Sequence, residues 1–179
     1  MARSRMAILL LRGAAVVSYL GYRTLDLVPI PDETAVVATT GPVETLPEFT
    51  LDNPAGEPQS IGSWPGKALL INFWATWCAP CRIEIPGFIE LFDKYEARGL
   101  SILGISVDDS VDALQLYAEE MEMDYPVLIG DGRDDVKDAF GPLYGFPTTF
   151  LINREGDICH QHTGYAPKEQ FEQEILSLL

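Results

Sequence analysis

ALLINFWATWCAPC, residues 68–81, carries the reading that decides the fold. Its first six residues form an apolar run suited to a strand buried on both faces. From Cys78 the pattern turns helical: Ile85, Phe88, Ile89 and Phe92 share a face, and Gly99 is a stop signal. Pro86 falls inside that helix and is expected to kink it. Cys78 and Cys81, at i and i+3, therefore share one side of a first helical turn, near enough to close a disulfide. Unpaired backbone N–H groups at that end favour a thiolate, which makes Cys78 a better nucleophile and a better leaving group. A zinc site would want two more ligands from Cys159, His160 and His162, and no second C-x-x-C exists. A purely structural disulfide would not need the strand-to-helix placement.

Working outward, Phe49–Leu51 reads as a short strand, followed by a Gly/Pro-rich turn region from Asp52 to Gly66. Ser101–Val107 is a second buried strand. Asp109 or Ser110 caps a helix with Val111, Leu114, Tyr117 and Met121 on one side. Pro126–Ile129 is a short strand and Asp134–Phe140 a short helix. Thr148–Ile152 and Ile158–Thr163 flank a turn at Asn153–Gly156, and a last helix aligns Phe171, Ile175 and Leu178. Strands alternating with helices and closing on a hairpin imply a mixed sheet with helices on both faces.

WATWCAPC (74–81), the downstream Gly145-Phe146-Pro147-Thr148-Thr149 and the hairpin after it resemble the TlpA/ResA-like thioredoxins, bacterial periplasmic or membrane-anchored reductases of which many serve cytochrome c maturation. The resemblance covers residues 44–179 and includes an αβ insertion, about Asp108–Gly130, before the proline loop. It implies a thioredoxin-like α/β fold, with Cys78 attacking, Cys81 resolving and Pro147 as a cis-proline that helps present substrate backbone. Glu84 matches the acid three residues past the second cysteine in the ResA-like subgroup, where it could relay protons; a solvated surface glutamate is the alternative. Asn72 stands where ordinary thioredoxins carry a buried acid, so another group, or solvent, must handle the proton. Trp74 is expected in the core, and Trp77, with Pro80 and Phe146, on the side that meets substrate.

Charge and the N-terminus set the surroundings. The chain carries −15 over 179 residues, yet Arg3, Arg5, Arg12 and Arg23 stand in residues 1–23 without an acid, leaving about −19 for the rest. Such a body excludes nucleic-acid binding through phosphates. Residues 1–23 read as a signal-anchor, although Arg12 interrupts an apolar run that is short for a membrane span; cleavage near Val36–Ala38 is the rival. Residues 24–43 read as a linker. The arginines predict N-terminus inside and residues 44–179 outside, placing the domain in the periplasm on the bacterial inner membrane. The expected partners are disulfide-bearing proteins and a membrane carrier of thiol electrons. A monomer is expected, with no cofactor and no metal.

Other features point less far. His160 and His162 share a strand face opposite Cys159 with no acid partner evident, and the acidic run 131–135 has the wrong oxygen spacing for calcium. Two other functions remain as alternatives. A peroxiredoxin-type peroxidase expects Thr-x-x-Cys, whereas Thr76 stands two residues before Cys78. A Sco-like copper chaperone expects C-x-x-x-C and a late histidine, which Leu143–Pro147 lacks.

Overall fold

The computed structural model describes residues 45–179. The expected anchor and linker lie outside the described residues, and no described helix is long and apolar enough to cross a membrane. The strands are β1 (Thr50–Asp52), β2 (Pro58–Ser60), β3 (Ala68–Trp74), β4 (Leu100–Ser106), β5 (Val127–Ile129), β6 (Thr148–Ile152) and β7 (Ile158–Thr163). The helices are α1 (Ala79–Tyr95), α2 (Val111–Glu120), α3 (Asp134–Ala139) and α4 (Lys168–Leu178).

A five-stranded sheet runs β5-β4-β3-β6-β7, and β1 and β2 form a separate antiparallel pair. β3 and β4 lie at its centre, paired in parallel, and every residue of both is buried. Burial on both faces is why these two strands read as unbroken apolar runs rather than alternating ones. β6 runs antiparallel to β3, with Phe73 opposite Thr148 and Ile71 opposite Phe150.

That register sorts the core into two faces. On one, Phe73 and Phe150 meet Phe140, just past α3, at 5.1 and 4.8 Å between ring centroids, and Phe49 joins from the segment before β1. On the other, His162 packs edge-on against Phe171 of α4, which in turn meets Phe88 of α1 at 5.1 Å. A long helix pair thus covers one side, while a six-residue helix and the β1–β2 pair cover the other.

Two local expectations differ from the structure. The turn region 52–66 contains β2 and a short 3-10 turn, Ile61–Ser63, because Leu51 and Ile61 supply buried anchors at either end. Val111 is exposed: Ser110 caps α2 and Leu114 is the residue that α2 buries. α1 continues through Pro86, whose ring lies at the exposed surface, and ends in a 3-10 turn at left-handed Gly99.

β5 joins the edge of β4, and Gly130 follows it, donating its N–H to the Ser106 carbonyl at 2.7 Å. A Cβ at Gly130 would stand 2.7 Å from Ile105 Cγ2 and 2.8 Å from Ser106 O, closer than atoms can pack. Gly130→Ala is therefore expected to destabilise the fold by about 1–3 kcal/mol, read as a lower urea midpoint. An unchanged midpoint would mean that the end of β4 yields freely.

Candidate active site

β3 ends at Trp74, and the loop Ala75–Trp77 turns the chain into α1. The turn is closed by Cys78 N–H donating to Ala75 O at 3.1 Å. Cys78 then takes the N-cap position: its backbone is extended and its Sγ accepts the Cys81 N–H at 3.3 Å. Pro80 in the first turn removes an N–H that would have lacked a partner there anyway. Cys78 and Cys81 form a disulfide with Cα atoms 5.3 Å apart. Both cysteines are nearly enclosed, Cys78 at 4 % exposure and Cys81 at 1 %, while the neighbouring Trp77 is 61 % exposed. Trp74 is buried at the end of β3, against Tyr117 of α2.

Sheet register gathers the remaining groups at this end of the molecule. Phe73 pairs with Thr148 of β6, so Pro147 stands at the level of Trp74. The Phe146–Pro147 peptide is cis, Pro147 is buried, and Pro147 O accepts the Gly164 N–H at 2.8 Å. Phe146 and Pro80 are half-buried, and Tyr144 in the same loop as Phe146 is 86 % exposed.

The proton inventory differs from what spacing alone would give. Asn72 is buried and donates to Thr149 Oγ1 at 2.9 Å, a neutral pair with nothing to titrate. Glu84 is buried, which overturns the solvated alternative. Its Oε1 accepts the Ala166 N–H from the β7–α4 turn at 2.7 Å, while its buried Oε2 has no partner. Burial pushes the Glu84 carboxyl up to about 7, and the Ala166 hydrogen bond offsets part of that rise. Glu84 lines a cleft of about 170 Å³ with Ile83, Gly87, Tyr165, Ala166 and Lys168.

Two acids escaped the reading of the sequence. Asp109, considered only as a helix cap, is buried and accepts hydrogen bonds from Thr76 and Ser106. An acid three residues past a buried strand was the available signal. Glu174 of α4 pairs with His162 at 2.7 Å and approaches His160 to 4.0 Å, supplying the acid partner that β7 alone did not reveal. Cys159 is the extra residue of a bulge opposite the Leu151–Ile152 step, and burial raises its thiol. Among the described residues, no group of three His, Cys, Asp or Glu side chains is placed to hold a metal ion.

Comparisons agree with this geometry. The model of the AhpC/TSA family matches residues 42–161. The thiol-disulfide oxidoreductase ResA of Geobacillus kaustophilus (strain HTA426) is 35% identical over 176 residues, covering 97% of this chain and 94% of its own. The ResA of Halalkalibacterium halodurans is 32% identical over 136 residues, 76% of each chain. Among solved structures, a thiol:disulfide interchange protein of the thioredoxin family from Chlorobium tepidum TLS superposes with a TM-score of 0.71 at 29% identity, covering 77% of this chain and 97% of that one. With a helix-capping cysteine pair on a thioredoxin-like sheet and relatives of this kind, the chain belongs to the AhpC/TSA family as a ResA-like thiol–disulfide oxidoreductase.

Proposed function

We propose that the protein works as a reductase of disulfides in extracytoplasmic proteins, anchored in the bacterial inner membrane through residues 1–23 and acting as a monomer. The family resemblance suggests apocytochrome c as a substrate class. The observation that carries the reading is Cys78 at the N-cap of α1, disulfide-bonded to Cys81 and the slightly more exposed of the two residues.

Starting from the dithiol, the Cys78 thiolate attacks one sulfur of a substrate disulfide. The substrate S–S bond breaks, its leaving thiolate takes a proton, and a mixed disulfide remains. Cys81 then loses its proton to Glu84, one turn further along α1, and attacks Cys78 Sγ. The second substrate sulfur leaves as a thiolate and is protonated in turn. Two electrons and two protons thus pass to the substrate, and a membrane carrier of thiol electrons restores the dithiol. A carboxyl held near 7 can both accept and return a proton at neutral pH. Trp77, Pro80 and Phe146 form the rim against which the substrate backbone lies, with cis-Pro147 presenting it.

Two experiments test this. With Cys81→Ser the second attack is lost, so mixed disulfides with proteins of a periplasmic extract should accumulate and disappear again on Cys78→Ser; absence of any adduct would remove Cys78 as the nucleophile. The potential of the couple against glutathione should lie toward the thioredoxin value of about −270 mV, and a value near −120 mV would reverse the direction of the reaction.

Glu84 can be tested by stability as well as by rate. Its folded-state value of about 7 stands above the unfolded 4.5, so the folded protein binds this proton more tightly. The stability this confers is complete below about 4.5 and is lost as pH rises through about 7, roughly 3 kcal/mol in all. Glu84→Gln should therefore be more stable than wild type at pH 8 and equal to it near pH 4, by urea unfolding. The same variant should slow release of reduced substrate on the order of a hundredfold at pH 7; unchanged release would leave Glu84 no part in proton transfer.

A further inference from the structure

Asp109 lies just beyond β4, 6 % exposed, and has no ion-pair partner among the described residues. Three hydrogen bonds end on its carboxylate. Thr76 N–H donates to Oδ2 at 2.9 Å, the Thr76 hydroxyl to Oδ1 at 2.5 Å, and the Ser106 hydroxyl to Oδ2 at 2.6 Å. Capping does not account for them, because Ser110 Oγ takes the Ala113 N–H at the start of α2. Both partners belong to the approach to the redox pair. Ser106 closes β4 opposite Trp74, and Thr76 stands two residues before Cys78 in the turn that Cys78 N–H closes.

The chain path limits how far this charge can lie from Cys78. Two residues span at most about 7 Å, so with the hydrogen bond to Thr76 N–H added, the carboxylate lies within about 10 Å of the Cys78 backbone. A unit charge at that range, in an effective dielectric of about 20, is worth on the order of one pKa unit. The other groups facing this corner are Tyr117 and Arg82. Arg82 lies 5.9 Å over the Tyr117 ring; the phenol is raised chiefly by burial, with Arg82 opposing the rise and Asp109 adding to it. Glu84 lies on the same helix as Cys81, one turn on.

We propose that Asp109 is a positioning residue of the redox centre. It braces the loop that delivers Cys78 to the helix N-terminus, and its charge disfavours the Cys78 thiolate, biasing the couple toward reduction of its partner. A thiolate that is less stable makes the dithiol the stronger reductant, the opposite of the stabilised reduced form that makes DsbA an oxidant. The proposal deepens the reductase reading and rests on it for its biological sense, but its test compares variants with wild type and so stands apart from the absolute potential.

In the full-length reduced protein, Asp109→Asn keeps the shape and an oxygen for Thr76 N–H while removing the charge. The pKa of Cys78, followed by thiolate absorbance, should fall by about one unit, and the equilibrium with glutathione should shift toward the dithiol, reaching about tenfold at a pH above both pKa values. Asp109→Ala, a second neutral variant, should move both in the same direction, which keeps the test available if one of them folds poorly. Thr76→Val keeps every charge and strips one hydrogen bond. It should lower the melting temperature and slow attack by Cys78 several-fold, with less than a third of the pKa shift. A Cys78 pKa that stays put or rises in folded Asp109→Asn overturns the proposal. A wild-type potential at the oxidising end would instead sink the reductase reading and leave the Asp109 difference standing.

Discussion

A helix begins with backbone N–H groups that no carbonyl of its own can reach, and the rest of the structure exists to hold a sulfur against one of them. Cys81 N–H points at Cys78 Sγ because Cys78 is still extended while Ala79 is already helical. That switch happens at a fixed place because β3 is locked on both sides, to β4 and to β6, up to Phe73 and Trp74. A loop of three residues then leaves little freedom in where α1 starts. The central strands are thus the foundation of the chemistry: their burial fixes the point from which the cysteine pair is measured.

Around that pair, three polar side chains divide the electrostatic work. Asn72, paired with Thr149, keeps the sheet beneath the site neutral. Glu84 is left with one unpartnered oxygen, which is why burial raises it so far, and the backbone of Ala166 supplies the one hydrogen bond that restrains the rise. Asp109 takes three donors and is anchored to the loop itself. The two buried acids thus have separate anchors: Asp109 holds the loop before Cys78, and Glu84 accepts from the turn before α4.

The sequence was most legible where a residue's environment is set by its near neighbours. The ALLINF and SILGISV runs suit strands buried on both faces, and β6 and β7 follow from the turn sequence Asn153–Gly156 that they flank. The cysteine pair was legible because strand, turn and helix are contiguous. β2 was hidden because Pro58, Gln59 and Ser60 carry no apolar alternation, and the strand depends on pairing with β1. The burial of Glu84 was hidden because it depends on Ala166, 82 positions away, and the His162–Glu174 pair because it joins a strand to a separate helix. Side chains whose partners come from distant segments leave no periodicity to read.

The insertion between β4 and α3 illustrates how such distant contacts reach the site. Its helix α2 sets Tyr117 against Trp74, four residues before Cys78, and its strand β5 brings Gly130 against the end of β4 so closely that no side chain fits. Gly130 N–H holds the Ser106 carbonyl, and the Ser106 hydroxyl holds Asp109, which holds Thr76. A continuous chain of hydrogen bonds therefore runs from the edge strand of the sheet to the loop before Cys78. Added at the rim of an otherwise complete sheet, the insertion gains a mechanical connection to the redox pair through short, buried polar contacts, which resist stretching more than apolar packing does because each broken bond leaves a buried group unpaired.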